Sequence, residues 1–382
     1  MTDVENMNRK QERTVVKSAK NAGIMTKITK RHSANQVKTI DSTCRNTKTV
    51  INKHDQRNIS LERYALKVVT RQGTVLRVGD GNIIRRFEKT PTPRKNTDVI
   101  CPHFCELAWS HGCPADPPCS WCYLQGTFRW ESYKTPNHRV PPKLKSREEI
   151  EKVMLAFLDA PNLKPHLLNT GELSDSLMQE RGPNPFSKFI MSFFKGTRHK
   201  VLFLTKMTDV HNFVENKWQK NAILAWSINA LAVANRYEGG MPKPLERIKA
   251  AKLIYDAGYT VRVRLDPMVP VEDWPEHYGD IIDSICDNFK PERVTLGTLR
   301  GLPSTIAAAK DKEWVKYLTE SSNWGRKPSL ETRMSMYSYA IHAFRKRGIR
   351  KIAVCKDTKQ VWSELKTMHG LDYHKMACNC LG

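Results

Sequence analysis

Three cysteines constrain this chain most. Cys113, Cys119 and Cys122 stand in the run Cys113-Pro114-Ala115-Asp116-Pro117-Pro118-Cys119-Ser120-Trp121-Cys122. A tight group of three thiolates, the last two spaced Cys-x-x-Cys, suits an iron–sulfur cluster that leaves one iron without a protein ligand. That open iron is where a substrate or cofactor can bind. A structural zinc ion wants a fourth protein ligand, and its spacings usually come as paired Cys-x-x-Cys or Cys/His units. His111, Cys105 or Cys101 is placed to supply one, so zinc remains the alternative on spacing alone. Either way, the fold must present this proline-stiffened loop to a metal centre.

The rest of the composition agrees with an intracellular enzyme-sized domain. A chain of 382 residues has room for one large α/β core and an appendage, because the buried fraction of surface rises with size. Five of the ten cysteines fall between Cys101 and Cys122, a distribution that fits metal ligation in a reducing compartment better than an extracellular disulfide framework. No stretch of eighteen apolar residues occurs and Met1 to Asn21 is polar; the expectation is a cytoplasmic protein with neither membrane span nor secretory signal. The formal charge of +24 and pI near 9.7 predict attraction to a polyanion, with nucleic acid the foremost partner.

Along the chain, residues 1–60 are rich in Lys, Arg, Asn, Thr and Ser without a sustained period, which predicts a basic, disordered arm. Residues 61–100 carry short β-prone runs such as Thr74 to Val78, punctuated by Gly79-Asp80-Gly81 and by Pro91 and Pro93, and are expected to form a small β-rich lead-in. From 101 to 360 strand and helix patterns alternate. Strands are expected at 166–169, 201–205, 223–227, 260–265, 293–296 and 351–354, and helices at 146–160, 245–257, 278–289 and 329–347. Residues 361–382 read as a cysteine-containing tail. Such alternation implies a parallel sheet covered by helices, either doubly wound or a complete or partial βα barrel, with chemistry at the carboxyl ends of the strands. Those ends carry Asn169-Thr170-Gly171-Glu172, Thr205-Lys206, Ser227-Ile228-Asn229, Arg264-Leu265-Asp266-Pro267, Thr298-Leu299-Arg300 and Cys355-Lys356. Any one of these taken singly also suits a helix cap.

Cysteines and strand ends together give the resemblance. The matching pieces are Cys119-x-x-Cys122-Tyr123-Leu124-Gln125, Leu204-Thr205-Lys206, Trp226-Ser227-Ile228-Asn229, Glu246-Arg247-x-x-Ala250-Ala251, Ala257-Gly258-Tyr259, the segment from Trp274 to Tyr278, and Arg300. In that order, over about residues 107–360, the chain resembles the radical SAM enzymes of the spore photoproduct lyase family. The resemblance implies a partial (βα)6 barrel in which Cys113, Cys119 and Cys122 hold a [4Fe-4S] cluster and S-adenosylmethionine (SAM) chelates the fourth iron. It implies cleavage of SAM to a 5′-deoxyadenosyl radical and lyase repair of a methylene-bridged thymine lesion in DNA. A reductant such as flavodoxin or ferredoxin would feed the cluster. Gly171 and Glu172 fall where the superfamily holds the methionyl ammonium, Lys206, Ser227 and Asn229 where relatives hold the SAM carboxylate and ribose, and Tyr123 beside the cluster. Arg264 and Arg300 are candidate phosphate contacts, with pairing to Asp266 inside the barrel as the alternative.

Two features depart from the family. Five residues separate Cys113 from Cys119 where the family usually has three, and no thiol stands in 169–172, where the family keeps a hydrogen-donating cysteine. Cys355, at the last strand end, and the pair Cys378 and Cys380 are the candidate substitutes. A second possibility is an auxiliary cluster or zinc ion held by Cys101, Cys105, Cys378 and Cys380. The alternatives to a lyase are radical modification of a nucleobase in DNA or RNA and, from another class, a non-catalytic zinc-dependent nucleic-acid-binding protein.

Overall fold

The near-continuous apolar strands Lys200–Thr205, Ala222–Ile228 and Val294–Thr298 are buried almost along their whole lengths, which only a sheet covered on both faces permits. The computed structural model describes residues 64–69, 75–78, 83–87 and 93–382, apart from 103 and 161–163. The expected arm, residues 1–60, lies outside the described residues.

Seven parallel strands run in spatial order Phe104–Leu107, Leu167–Asn169, Lys200–Thr205, Ala222–Ile228, Thr260–Met268, Val294–Thr298 and Ile352–Val354. Six match the strands expected from the sequence; Phe104–Leu107 is added in front of them. The lead-in then extends the same sheet in antiparallel fashion, through Ile84–Phe87, Tyr64–Val69 and Val75–Val78. The parallel part is an open half-barrel. Among the described residues no helix is long and apolar enough to cross a membrane.

Helix boundaries follow local chemistry. Ser146 accepts a hydrogen bond from Glu149 N at the start of Arg147–Leu158. Ser329 accepts one from Thr332 N at the start of Leu330–Lys346, whose last turn carries Arg345 and Lys346 where the helix dipole favours cations. The expected boundary at 360/361 falls inside a helix, Lys359–His369, capped by Thr358 at its start and by left-handed Gly370 at its end. Its Val361, Trp362 and Leu365 are buried, each worth about 1.5–3 kcal/mol of hydrophobic burial or somewhat more for the indole.

The end of the chain then docks on the sheet. Asn379 is fully buried: its side chain donates to Val263 O and accepts from Thr295 Oγ1, its N–H donates to Thr295 Oγ1, and its carbonyl accepts from Arg262. Arg293 donates to the carbonyls of Cys378 and Leu381. Long-range pairing of this kind leaves no periodic signature in the sequence.

Candidate active site

The carboxyl ends of the strands surround a cavity of about 330 Å³, within the range of small-molecule sites. Eight of the ten candidate cluster, cofactor and catalytic residues line it, Cys113, Cys119, Cys122, Tyr123, Gly171, Glu172, Lys206 and Ser227, and so do Arg264 and Arg300. Asn229 and Cys355 do not.

The cysteine loop is held from several sides. Cys113 N donates to Val140 O, Cys122 N to Cys119 O, and the Gln125 side chain to Cys119 O. The short helix Tyr123–Thr127 follows at once, and Gly126 lets it lie against Pro303–Ala308, since a Cβ there would stand 2.5 Å from Thr305 N. Burial pushes all three thiols upward, Cys122 to about 12. Positive charge opposes this at Cys119, where Lys206 Nζ donates to the sulfur at 3.4 Å. A cation bound beside them would offset that desolvation and favour the thiolates. Among the described residues no group of three or more His, Cys, Asp or Glu side chains is arranged to hold a single metal ion.

Behind the cysteines runs a buried charge chain. Lys206 Nζ lies 2.6 Å from Glu238 Oε1, and Glu238 Oε2 lies 2.7 Å from Arg247 Nη1. Burial disfavours the Glu238 carboxylate, but the two cations outweigh it and hold it down to about 2. Arg247 also donates to the carbonyls of Ser227 and Pro242. Asp175, another pocket residue, accepts from Thr205 Oγ1 and from the N–H groups of Lys206 and Leu177. It thereby fixes the strand end that carries Lys206. Neither Asp175 nor Glu238 was singled out from the sequence. A faint signal existed for Asp175 in its place three residues after Glu172, but Glu238 leaves none.

The opposite wall holds a second network. Arg264 Nη2 is 2.5 Å from Asp266 Oδ2, and Arg300 reaches both carboxylate oxygens at 2.9 Å. Burial works against the Asp266 charge, while Arg300 and Arg264 hold its carboxyl well below the usual range. Of the two sequence-level options for these arginines, the internal pairing with Asp266 is the one seen. The register of Thr260–Met268 against its neighbour slips between Leu265 and Met268, a local irregularity that re-aims side chains beside a site. Glu172 is likewise engaged, 3.2 Å from Lys356 Nζ.

Asn229 sits behind the cavity. It donates to Pro267 O and accepts from Tyr278 Oη, with Glu238 Oε1 at 3.4 Å, so it braces the wall without facing the cavity. Cys355 accepts from Arg264 Nη2 at 3.3 Å and lines a separate cavity of about 10 Å³, room for one water. Cys101, Cys378 and Cys380 line it too. The expected auxiliary set of Cys101, Cys105, Cys378 and Cys380 is therefore not assembled: Cys105 lies 3.6 Å from His166 Nδ1 instead, and Cys355 takes its place beside the other three. Strand alternation sends Cys105 to the far side of the sheet from its neighbours.

The family model for spore photoproduct lyase matches residues 106–299 of this chain. The spore photoproduct lyase of Clostridium acetobutylicum is 26% identical over 181 residues, 47% of this chain and 50% of that protein; the chain thus spans about half the length of the curated relative it matches. A solved structure of a spore photoproduct lyase variant with bound AdoMet and dinucleoside spore photoproduct aligns with TM-score 0.53 and 14% identity, covering 65% of this chain and 75% of the other. A spore photoproduct lyase complexed with dinucleoside spore photoproduct aligns with TM-score 0.53 and 14% identity, covering 69% and 80%. At that identity the alignments establish the barrel fold.

Proposed function

We propose, from the premise that this chain belongs to the spore photoproduct lyase family, that it is a radical SAM lyase acting on a thymine lesion in DNA. One observation carries the reading: Cys113, Cys119 and Cys122 open onto one cavity together with Gly171, Glu172, Lys206 and Ser227 from three strand ends. The donor set fits a [4Fe-4S] cluster better than zinc. A structural zinc ion takes four protein ligands, whereas a cluster with one open iron takes three thiolates, each on a different iron, and three cysteines and no histidine line the cavity. When bound, the cluster and SAM supply a carbon radical able to take hydrogen from an unactivated carbon, chemistry that belongs to the cofactors.

The chain's own residues orient and insulate. Lys206 places a positive charge against Cys119, where it would hold the carboxylate of a bound SAM, and Glu238 and Arg247 keep that ammonium in position. Glu172 is the candidate acceptor for the methionyl ammonium, with Lys356 as its present partner. Ser227, on the cavity lining, would take the ribose, and Asn229 acts from behind by holding Pro267 and Glu238. Tyr123, partly exposed at the cavity lining directly after Cys122, would stand beside the cluster. Cys355 is the proposed hydrogen donor, joined to the cavity wall through Arg264. A cytoplasmic setting and a flavodoxin- or ferredoxin-type reductant complete the reading.

A second reading, modification of a nucleobase rather than lesion reversal, has one observation in its favour: among the described cysteines, only the three loop thiols line the cavity. The deciding experiment is anaerobic reconstitution followed by dithionite and SAM, with 5′-deoxyadenosine measured by mass spectrometry in the parent protein and in Cys119→Ala, then repeated with a thymine-photoproduct oligonucleotide. Brown protein, 5′-deoxyadenosine and restored thymines support the lyase. Cleavage of SAM with the photoproduct untouched would favour modification, and a colourless zinc protein that leaves SAM intact removes the enzyme reading.

A further inference from the structure

Directly after the pocket-lining Thr127, the helix Arg129–Ser132 and the residues following it turn a mixed face outward. Trp130 is 59% exposed and Tyr133 53%. Arg129 and Lys134 are exposed beside them. Residues 129, 130, 133 and 134 share one side at helical spacing, so cations and aromatic rings alternate on it. The opposite side, Glu131 and Ser132, is buried.

Two physical points make this face more than scattered surface. First, it is anchored. The Ser132 hydroxyl donates to His138 O, Glu131 is gripped by Lys143 at 2.7 Å and His111 at 3.2 Å, and His111 stacks on Phe128. Presenting the rings therefore costs little further ordering on binding. Second, it is one-signed. Between 117 and 147 there are six Lys or Arg residues and a single carboxylate, Glu131, which points inward; Lys143 pairs with it and Arg139 with Asp116, which leaves Arg129 and Lys134 among the cations beside the rings. Large rings left in water beside cations fit a polyanion that also offers flat apolar faces, and an unstacked nucleic-acid strand is the partner with both.

We propose that Arg129, Trp130, Tyr133 and Lys134 form a stacking platform for unpaired DNA bases at the rim of the pocket. This rests on the proposed action on DNA and assigns where the strand is held. Bases flanking a distorted lesion stack on Trp130 and Tyr133 while Arg129 and Lys134 track the phosphates, which keeps the extruded nucleotides over the cavity.

The test is fluorescence anisotropy of the full chain with a labelled single-stranded oligonucleotide and with a duplex carrying a photoproduct. Each of Trp130→Ala and Tyr133→Ala should weaken both by about 5- to 100-fold, the range for one base–aromatic stack, and Trp130→Phe should recover most of the affinity. Arg129→Gln with Lys134→Gln should lower the salt slope for the single strand by about 1.4, at about 0.7 per phosphate contact. All four positions are exposed, so thermal melting should not move. Affinity within twofold of the parent in both ring variants overturns the platform. So does unchanged oligonucleotide binding with lost reduction by an acidic flavodoxin, which would make the face a reductant dock. Dithionite-driven SAM cleavage without DNA separates the two ideas: cleavage intact with ring-independent binding sinks only the platform, whereas ring-dependent binding without cleavage sinks only the enzyme reading.

Discussion

The Lys206 ammonium stands 3.4 Å from the sulfur of Cys119. A lysine just past the end of one barrel strand thus touches a thiol of the cysteine loop, and Glu238, with its side chain 1% exposed, ties that lysine down at 2.6 Å. Lys206→Met removes one of the two cations that neutralise Glu238. Breaking a buried pair in this way typically costs about 3–5 kcal/mol, and the remaining Arg247 places the expectation at the lower end. Urea unfolding should report the loss, while iron content and SAM affinity should fall in parallel. Lys206→Arg should restore stability before it restores SAM binding, because a planar fork does not reproduce a compact ammonium.

Asp266 serves two guanidiniums at once. In Asp266→Ala both Arg264 and Arg300 lose their buried counter-charge, and destabilisation of about 3–5 kcal/mol is expected. The sign with pH follows from its carboxyl lying below the ordinary 3.8. Its contribution is present above pH 3.8 and is lost as pH falls through the lower folded value. Acid-unfolding curves of the parent and Asp266→Ala should therefore converge at low pH.

Glu180 has the opposite sign. Burial raises it to about 7, against hydrogen bonds from Ser187 and Asn212. A carboxyl protonated more readily in the folded chain favours folding below pH 4.5, and the advantage fades as pH rises to 7. The change across that window is about 3–4 kcal/mol at about 1.4 kcal/mol per pH unit. Glu180→Gln should flatten it, as thermal melting between pH 4.5 and 8 would show; an unchanged slope would exclude Glu180 as the source.

Asn379 joins the end of the chain to two barrel strands through four groups. Asn379→Ala should cost about 2–4 kcal/mol, since several buried partners lose their bonds. It should also expose Cys378 and Cys380, 4% and 8% accessible in the parent, to rapid alkylation by iodoacetamide. Mass spectrometry of the C-terminal peptide reads this directly.

Cys355→Ser tests the donor. With Arg264 and Asp266 undisturbed, SAM cleavage should continue while restored thymine falls at least tenfold. Loss of both activities together would mark Cys355 as structural.

Much of the barrel was legible from short-range pattern. Strands with period-two or continuous apolar runs, helices opened by Ser146 and Ser329, and the Cys-x-x-Cys spacing are all encoded within a few residues of one another, and eight of the ten candidate site residues do line one cavity. The added strand Phe104–Leu107 and the helix Lys359–His369 leave little local signal, the first because four residues carry too short a period and the second because only Val361, Trp362 and Leu365 form its buried face.

What the sequence by itself determined is the parallel α/β plan, the polar residues at the strand ends that come to line one cavity, and the three-thiol loop, because local periodicity and spacing dictate them. Tertiary structure alone decided that Asp266 takes both Arg264 and Arg300, that Glu238 braces Lys206, that Asn229 and Cys355 stand behind the wall, and that Cys101, Cys355, Cys378 and Cys380 share one small cavity. Which carboxylate neutralises which cation, and which thiols meet, depends on strand register and on the docking of residues scores of positions apart, where no local pattern reaches.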